Sequence, residues 1–282
     1  MNKFYIQIVF FLLSITLYVD NKTLATEPIS KNATTSKSKN YCSTPEEIFV
    51  SHQHLLCTNP EETRQAHKLM NEAVKCLEQH ATSTDDYKSC RTNPSLRMSL
   101  YKKKHKDEAD IEQIRYTVYD VDTYNEIINE IWDPKHDSPF NNGAVKIARV
   151  YDPSLVMIQQ RYEKPPIGRQ KYFYALAQKT QISENITIIV MTSANINDHN
   201  PSNKEYKNPI LKNAESFTTD INSEEDIREG KLTKTFVNLA GYIIHRRNTT
   251  IDIIYIESID GHATIYQEFI IGKLFDYYFV RR

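Results

Sequence analysis

Asp260, Gly261 and His262 bring a carboxylate and an imidazole into one short stretch, a pairing suited to general acid–base work. Asp and Gly are also ordinary turn residues, and the stretch falls between a strand pattern and a helix pattern, so it reads as a turn. His52, His54 and Cys57 are metal-ligating types, but no fourth ligand stands near them. The chain has no GxSxG elbow, no P-loop and no HExxH pair. Cys42, Cys57, Cys76 and Cys90 all lie in the N-terminal third without CxxC spacing. They suit two disulfides of a secreted chain, with three connectivities open, better than a zinc site or a Cys–His nucleophile. No catalytic constellation assembles, so the reading is a non-enzyme without a cofactor.

The elements that hold these residues centre on a hairpin. Segments 171–181 and 186–195 are rich in Tyr, Phe, Ile, Val and Thr and are joined at Ser183-Glu184-Asn185. Those residue types fill a pleated surface, so two long strands are expected. Such a hairpin leaves one apolar face wet unless something covers it. Further strands are expected at 97–106, 111–119, 145–151, 155–163, 231–247 and 250–259.

Three helices read from their spacing. The first opens at Asn59-Pro60-Glu61-Glu62, with a cap, a first-turn Pro and acids at the positive end. Ala66, Leu69, Met70, Ala73, Val74 and Leu77 then recur at helical period to about residue 79. The second covers 122–132 and stops before Pro134. The third, 264–279, carries Ile265, Phe269, Ile270, Leu274, Phe275 and Tyr278 on one stripe. Residues 196–230 are long and polar and read as a tolerated insertion in preference to a lid, with a short helix near 209–217.

The 282 residues have a formal charge of −1, which gives no general pull toward nucleic acid or an anionic membrane. Met1-Asn2-Lys3 followed by an apolar run from Phe4 to Val19 is a secretory leader pattern, with cleavage after Ala25. Residues 26–58 read as a disordered linker and 59–282 as one domain, with 59–94 its N-terminal helical part. A twisted antiparallel sheet with a long helix across it encloses a space lined by Tyr, Phe, Ile, Val and Met. That suits a large apolar ligand. Each exposed methylene of an acyl chain costs about 0.8 kcal/mol, so a carrier must enclose its lipid nearly completely.

The strings MNKFYIQIVFFLLSITLYV, NKTLATEP, TPEEI, HLLCTNPEET and KLMNEAVKCLE open a resemblance that continues in YNEIINEIWDP, RVYDPSLVMIQQRY, GRQKYFYALA and TIIVMTSANINDH. It runs on through PSNKEYKNPI, KTFVNLAGYII and YIESIDGH. The chain resembles the fam-a proteins of rodent malaria parasites (Plasmodium), whose C-terminal region resembles the START lipid-transfer domain. The resemblance implies an α+β, START-like helix-grip fold: a curved antiparallel sheet wrapped around a long C-terminal helix with an internal lipid cavity. It implies a secreted monomer, exported toward the parasitophorous vacuole or the host erythrocyte, that binds and transfers phospholipid. Phosphatidylcholine is the implied ligand, with transient contact to a membrane surface and none to nucleic acid.

The site residues follow from that resemblance. Helix 124–132 resembles the START helix ending in Trp-Asp, here Trp132-Asp133, and loop 164–169 stands where START domains have a loop near the cavity mouth. The arginine that some START domains place in the cavity is absent, since Ala175 and Leu176 stand near that point. Arg161, with Gln159 on its strand face, is the nearest candidate for a phosphate, which its forked guanidinium suits. Tyr172, Tyr174 and Tyr255 are candidates to surround a quaternary ammonium. Trp132, Met191, Phe269 and Ile270 complete the lipid-binding candidates. The second expectation is a host-interaction protein or antigen that keeps this fold and moves no lipid.

Overall fold

The structure is a computed structural model that describes residues 43–83, 87–94, 97–104, 110–136, 143–202 and 204–261. The leader, residues 26–40, Cys42, and the helix expected at 264–279 with Phe269 and Ile270 lie outside the described residues.

Residues 43–58, expected within a linker, carry a short helix, α1 (Pro45–Ser51). Thr44 and Glu47 cap it reciprocally, each side chain taking the other's backbone N–H. A 3-10 turn follows at Gln53–Leu55, and Leu56 makes a parallel bridge to Val150. Composition hid this piece because its order comes from the cap and from burial of Ile48.

Helix α2 (Pro60–Thr82) begins as its sequence dictates. The Asn59 side chain accepts from the N–H groups of Glu61 and Glu62, and Pro60 fills the first turn. Its buried stripe runs through Ala66, Leu69, Met70, Ala73, Val74, Leu77 and Ala81. Leu69, Met70 and Leu77 are fully buried, so truncating any one to Ala is expected to cost about 2–5 kcal/mol.

The strands are β1 (Lys88–Asn93), β2 (Met98–Lys104), β3 (Asp110–Val118), β4 (Gly143–Asp152), β5 (Leu155–Tyr162) and β6 (Lys171–Ser183). After them come β7 (Ile186–Thr192), β8 (Asn195–Asn197), β9 (Thr218–Asp220), β10 (Thr233–Lys234), β11 (Phe236–Arg246) and β12 (Ile251–Asp260). They build a sheet in the order β1-β2-β3-β12-β11-β7-β6-β5-β4, with neighbours antiparallel along this path. The expected hairpin is β6–β7, in the interior of that order. Strand β1 stands in the stretch expected to be helical, and β10 adds a short parallel pairing to β6.

The two sheet faces are covered differently. Helix α2 packs on Tyr172, Tyr174, Leu176, Ile188, Val190 and Leu239. The opposite face carries Val156, Ala177, Ile189, Tyr242, Ile253 and Tyr255, with Ile48 of α1 against them. It also receives α3 (Tyr124–Trp132), which buries Tyr124, Ile127, Ile128 and Trp132 there.

Residues 196–230 are not a loose insertion. They contain the parallel pair β8–β9, a 3-10 turn at Lys212–Ser216 and α4 (Glu225–Arg228). Ile196, Leu211, Ala214, Phe217, Ile221 and Ile227 are buried in the same core as α2. Glu72 of α2 accepts from the backbone N–H groups of Lys212 (2.9 Å) and Asn213 (3.2 Å). The segment therefore roofs one sheet face. Its apolar anchors are spaced among polar residues, so no continuous pattern announces them.

Cys57, Cys76 and Cys90 are free thiols, so the expected pair of disulfides does not form among the described residues. Cys76 lies on α2, half-buried against the core, and burial pushes its pKa up to about 11. Cys90 is exposed on the edge strand β1.

Candidate functional site

The face opposite α2 holds a cavity of about 90 Å³. The end of α3 supplies Ile131, Trp132 and Asp133, and His136 stands just beyond. Strands β4 and β5 contribute Val145, Ile147, Val156 and Ile158. From the middle of the sheet come Ala177, Ile189, Met191, Tyr242 and Tyr255. Strand alternation explains the apolar wall: residues 156 and 158 face the cavity, while 155 and 157 pack under α2.

The rim is fixed by Asp133. One carboxylate oxygen accepts the Ser43 N–H at 2.8 Å and the other accepts the Lys135 N–H at 2.9 Å. This ties the end of α3 to the start of α1. The Trp132 indole is 7 % exposed, and its N–H has no hydrogen-bond acceptor among the described residues. The Tyr242 and Tyr255 rings lie 4.7 Å apart, and the Tyr255 hydroxyl donates to Glu257 at 2.7 Å. Burial raises the Tyr116 hydroxyl pKa well above the ordinary range on this face, so it stays protonated at neutral pH.

The candidates named from the sequence divide between the two faces. Trp132, Met191 and Tyr255 meet at the cavity. Gln159, Arg161, Tyr172 and Tyr174 lie on the other face, beneath residues 196–230. Arg161 donates to both carboxylate oxygens of Asp226, at 2.6 and 2.8 Å, and approaches Glu224 at 3.3 Å. The Gln159 amide donates to the Tyr174 hydroxyl and to Glu224. Lys146 also contacts Glu224. Arg161 and Lys146 are thus both engaged by Asp226 and Glu224, and neither is left over for a phosphate. The Tyr172 hydroxyl donates to Asp198 at 2.9 Å. Burial, then the Asp198 charge, raise its pKa, and burial raises that of Tyr174 to about 12. Neither ring is placed to enclose an ammonium at the cavity.

Sequence reasoning missed Tyr242 as a wall residue, and it missed that Gln160 is buried on the same face. Both were within reach of alternation counting. Gln160 shares parity with Val156 and Ile158, and Tyr242 faces the same side as its cross-strand partner Tyr255. The same count places Arg161 on the face of Met157, away from Ile158.

The polar residues of the cavity do not converge on a reacting point, and among the described residues no three His, Cys, Asp or Glu side chains are grouped to hold a metal. Strand β2 ends in Lys102, Lys103 and Lys104, of which Lys102 pairs with Asp110 at 2.7 Å and Glu112 at 3.5 Å.

Among solved structures, human StAR-related lipid transfer protein 5 superposes with a TM-score of 0.51 over 76% of this chain and 92% of its own, at 12% identity. The fold is START-like. The domain of human StarD13 gives a TM-score of 0.47 at 12% identity, over 72% of this chain and 92% of its own. Neither a family of known proteins nor a curated protein matches the sequence. The curved antiparallel sheet of the expected α+β, START-like fold is observed, with one face roofed by α2 and residues 196–230 and the other holding the cavity, while the helix it was expected to grip lies outside the described residues.

Proposed function

We propose that this protein binds a lipid in the cavity beside Trp132 and carries it between membranes without covalent chemistry. The observation that carries the reading is an apolar cavity between α3 and the face of a START-like sheet opposite α2. The likeness to a lipid transfer protein supports the ligand class. Phosphatidylcholine, secretion through the leader and export toward the host erythrocyte rest on the resemblance to the fam-a proteins. So does the monomeric state.

Membrane contact has its own support. Ile167, in the loop between β5 and β6, is 92 % exposed, and Lys164 and Arg169 flank it. An exposed isoleucine between cations suits shallow insertion among anionic headgroups. The backbone of Gly168 beside it is open, with nothing within 4 Å of where a side chain would start.

The cavity volume also supports a second reading. About 90 Å³ is below the roughly 300–1,000 Å³ of ligand pockets. A carrier must therefore open this face before a two-chain lipid can enter, whereas a host-interaction protein with the same fold needs no such opening. Native mass spectrometry of the purified protein, followed by lipid extraction, separates the two. One co-purified lipid per chain supports the carrier. A protein that stays empty after incubation with phosphatidylcholine vesicles sinks it.

A further inference from the structure

Gln160 stands where an amide side chain is costly. It is fully buried, and neither its Oε1 nor its Nε2 has a hydrogen-bond partner among the described residues. Unpaired buried donors and acceptors destabilise a fold, and native proteins seldom keep one without a use.

Its direction is fixed by the sheet. Strand β5 pairs with β6 from Leu155 to Arg161 without a shift in register. Val156 and Ile158 line the cavity, while Leu155 and Met157 pack under α2 and Arg161 is held by Asp226. Gln160 therefore stands on the cavity face, the next residue along from Ile158. Its cross-strand neighbours are Val145, a cavity residue, and Phe173, which is fully buried in an apolar cluster with Tyr162 and Ala175. The amide is thus sealed just beyond the cavity lining, among apolar neighbours of the same face.

We propose that Gln160 is the hydrogen-bonding receptor for an uncharged oxygen of the cargo, an ester carbonyl or a hydroxyl, drawn into the cavity past Ile158. This rests on the lipid-carrier reading and specifies it. A glutamine amide offers two N–H donors and a carbonyl acceptor, so it accommodates an ester carbonyl by donating and a hydroxyl by donating or accepting. It carries no charge to balance a phosphate. The nearby cations of β4 and β5, Lys146 and Arg161, are on the opposite face against Glu224 and Asp226. The neutral part of the lipid meets Gln160, and any charged headgroup lies elsewhere.

The test measures uptake from vesicles by the purified protein and by Gln160→Met, a variant of similar size without the amide. The lipids are diacyl phosphatidylcholine, its dialkyl ether counterpart, which lacks the ester carbonyls, and cholesterol. One hydrogen bond gained by an otherwise unpaired group predicts about tenfold preference of the natural protein for diacyl over dialkyl lipid. Gln160→Met loses that preference and melts at the same or a higher temperature. If cholesterol is the lipid taken up, the variant loses about tenfold on it instead, and the oxygen is a hydroxyl. A variant that keeps full uptake and full ester-over-ether discrimination overturns the role of Gln160 and leaves the carrier standing. One that melts lower and loses all three lipids alike overturns it too, by showing a structural role. A natural protein that takes up none of the three overturns both readings.

Discussion

Arg161 holds Asp226 through both arms of its guanidinium, at 2.6 and 2.8 Å, and so pins α4 to strand β5 on the face away from the cavity. The hydrogen bonds from Arg161 come first among the causes that hold the Asp226 carboxyl below its usual pKa. A depressed carboxylate pKa stabilises the fold above the unfolded value and loses that contribution as pH falls through the folded one. Arg161→Leu is therefore expected to lower stability by about 1 kcal/mol for this partly exposed pair. It should also flatten the acid limb below about pH 4. Urea unfolding between pH 3 and pH 7 checks both, and lipid uptake should be unchanged.

His67 of α2 contacts Asp152 at 3.0 Å, at the turn between β4 and β5. The hydrogen bond that the His67 ring donates to the Asp152 carboxylate outweighs burial and raises the histidine pKa. A raised histidine pKa gives stability that is complete below about pH 6.5 and is lost as pH rises through the folded value. His67→Ala should remove the decline in melting temperature seen in the natural protein above that pH. An identical slope in both proteins would show that the contact does not form in solution.

Filling the cavity gives a sharper answer than emptying it. Ala177 is buried in the cavity wall. Ala177→Phe should abolish lipid uptake while costing about 1–3 kcal/mol through overpacking. Circular dichroism would confirm the fold. Undiminished uptake would move the ligand out of this cavity.

Ile167→Glu tests the loop. A side chain this exposed contributes little to stability, within about 0.5 kcal/mol. Sedimentation with vesicles containing anionic lipid should fall several-fold, and further when Lys164 and Arg169 are replaced by Gln. Unaltered sedimentation would place the docking surface elsewhere.

Thiol titration addresses the cysteines. Cys90 should react at once in the native protein, whereas Cys76 should react slowly at pH 8, because the thiolate is the attacking species and its pKa stands at about 11. Reducing agent should leave the melting temperature unmoved.

Much of this architecture could be read from the chain because local signals agreed with the global fold. Asn59-Pro60 marks the start of α2, and its apolar stripe is the stripe that is buried. The β6–β7 hairpin was equally plain. In residues 196–230 the short helical turn is legible, but the packing is not, because Leu211, Phe217 and Ile227 acquire their role only against α2, which sequence neighbours cannot show. The site was half legible. Residue type suggested Arg161 for phosphate, but the twofold alternation of β5 decides the face, and it turns Arg161 toward Asp226 and puts Gln160 on the face of Val156 and Ile158.

Strand β5 is therefore a template read on both sides at once, and it tolerates no frameshift in space. Deleting a single amino acid between Val156 and Gln160 would rotate the residues beyond it by half a turn. The guanidinium of Arg161 would enter the oily chamber, and the amide would face the carboxylates of α4. Conservative replacements along this strand can be absorbed one at a time, but a length change there exchanges the inside for the outside. Natural insertions and deletions among close homologues should accordingly spare β5 and collect in the loop that carries Ile167.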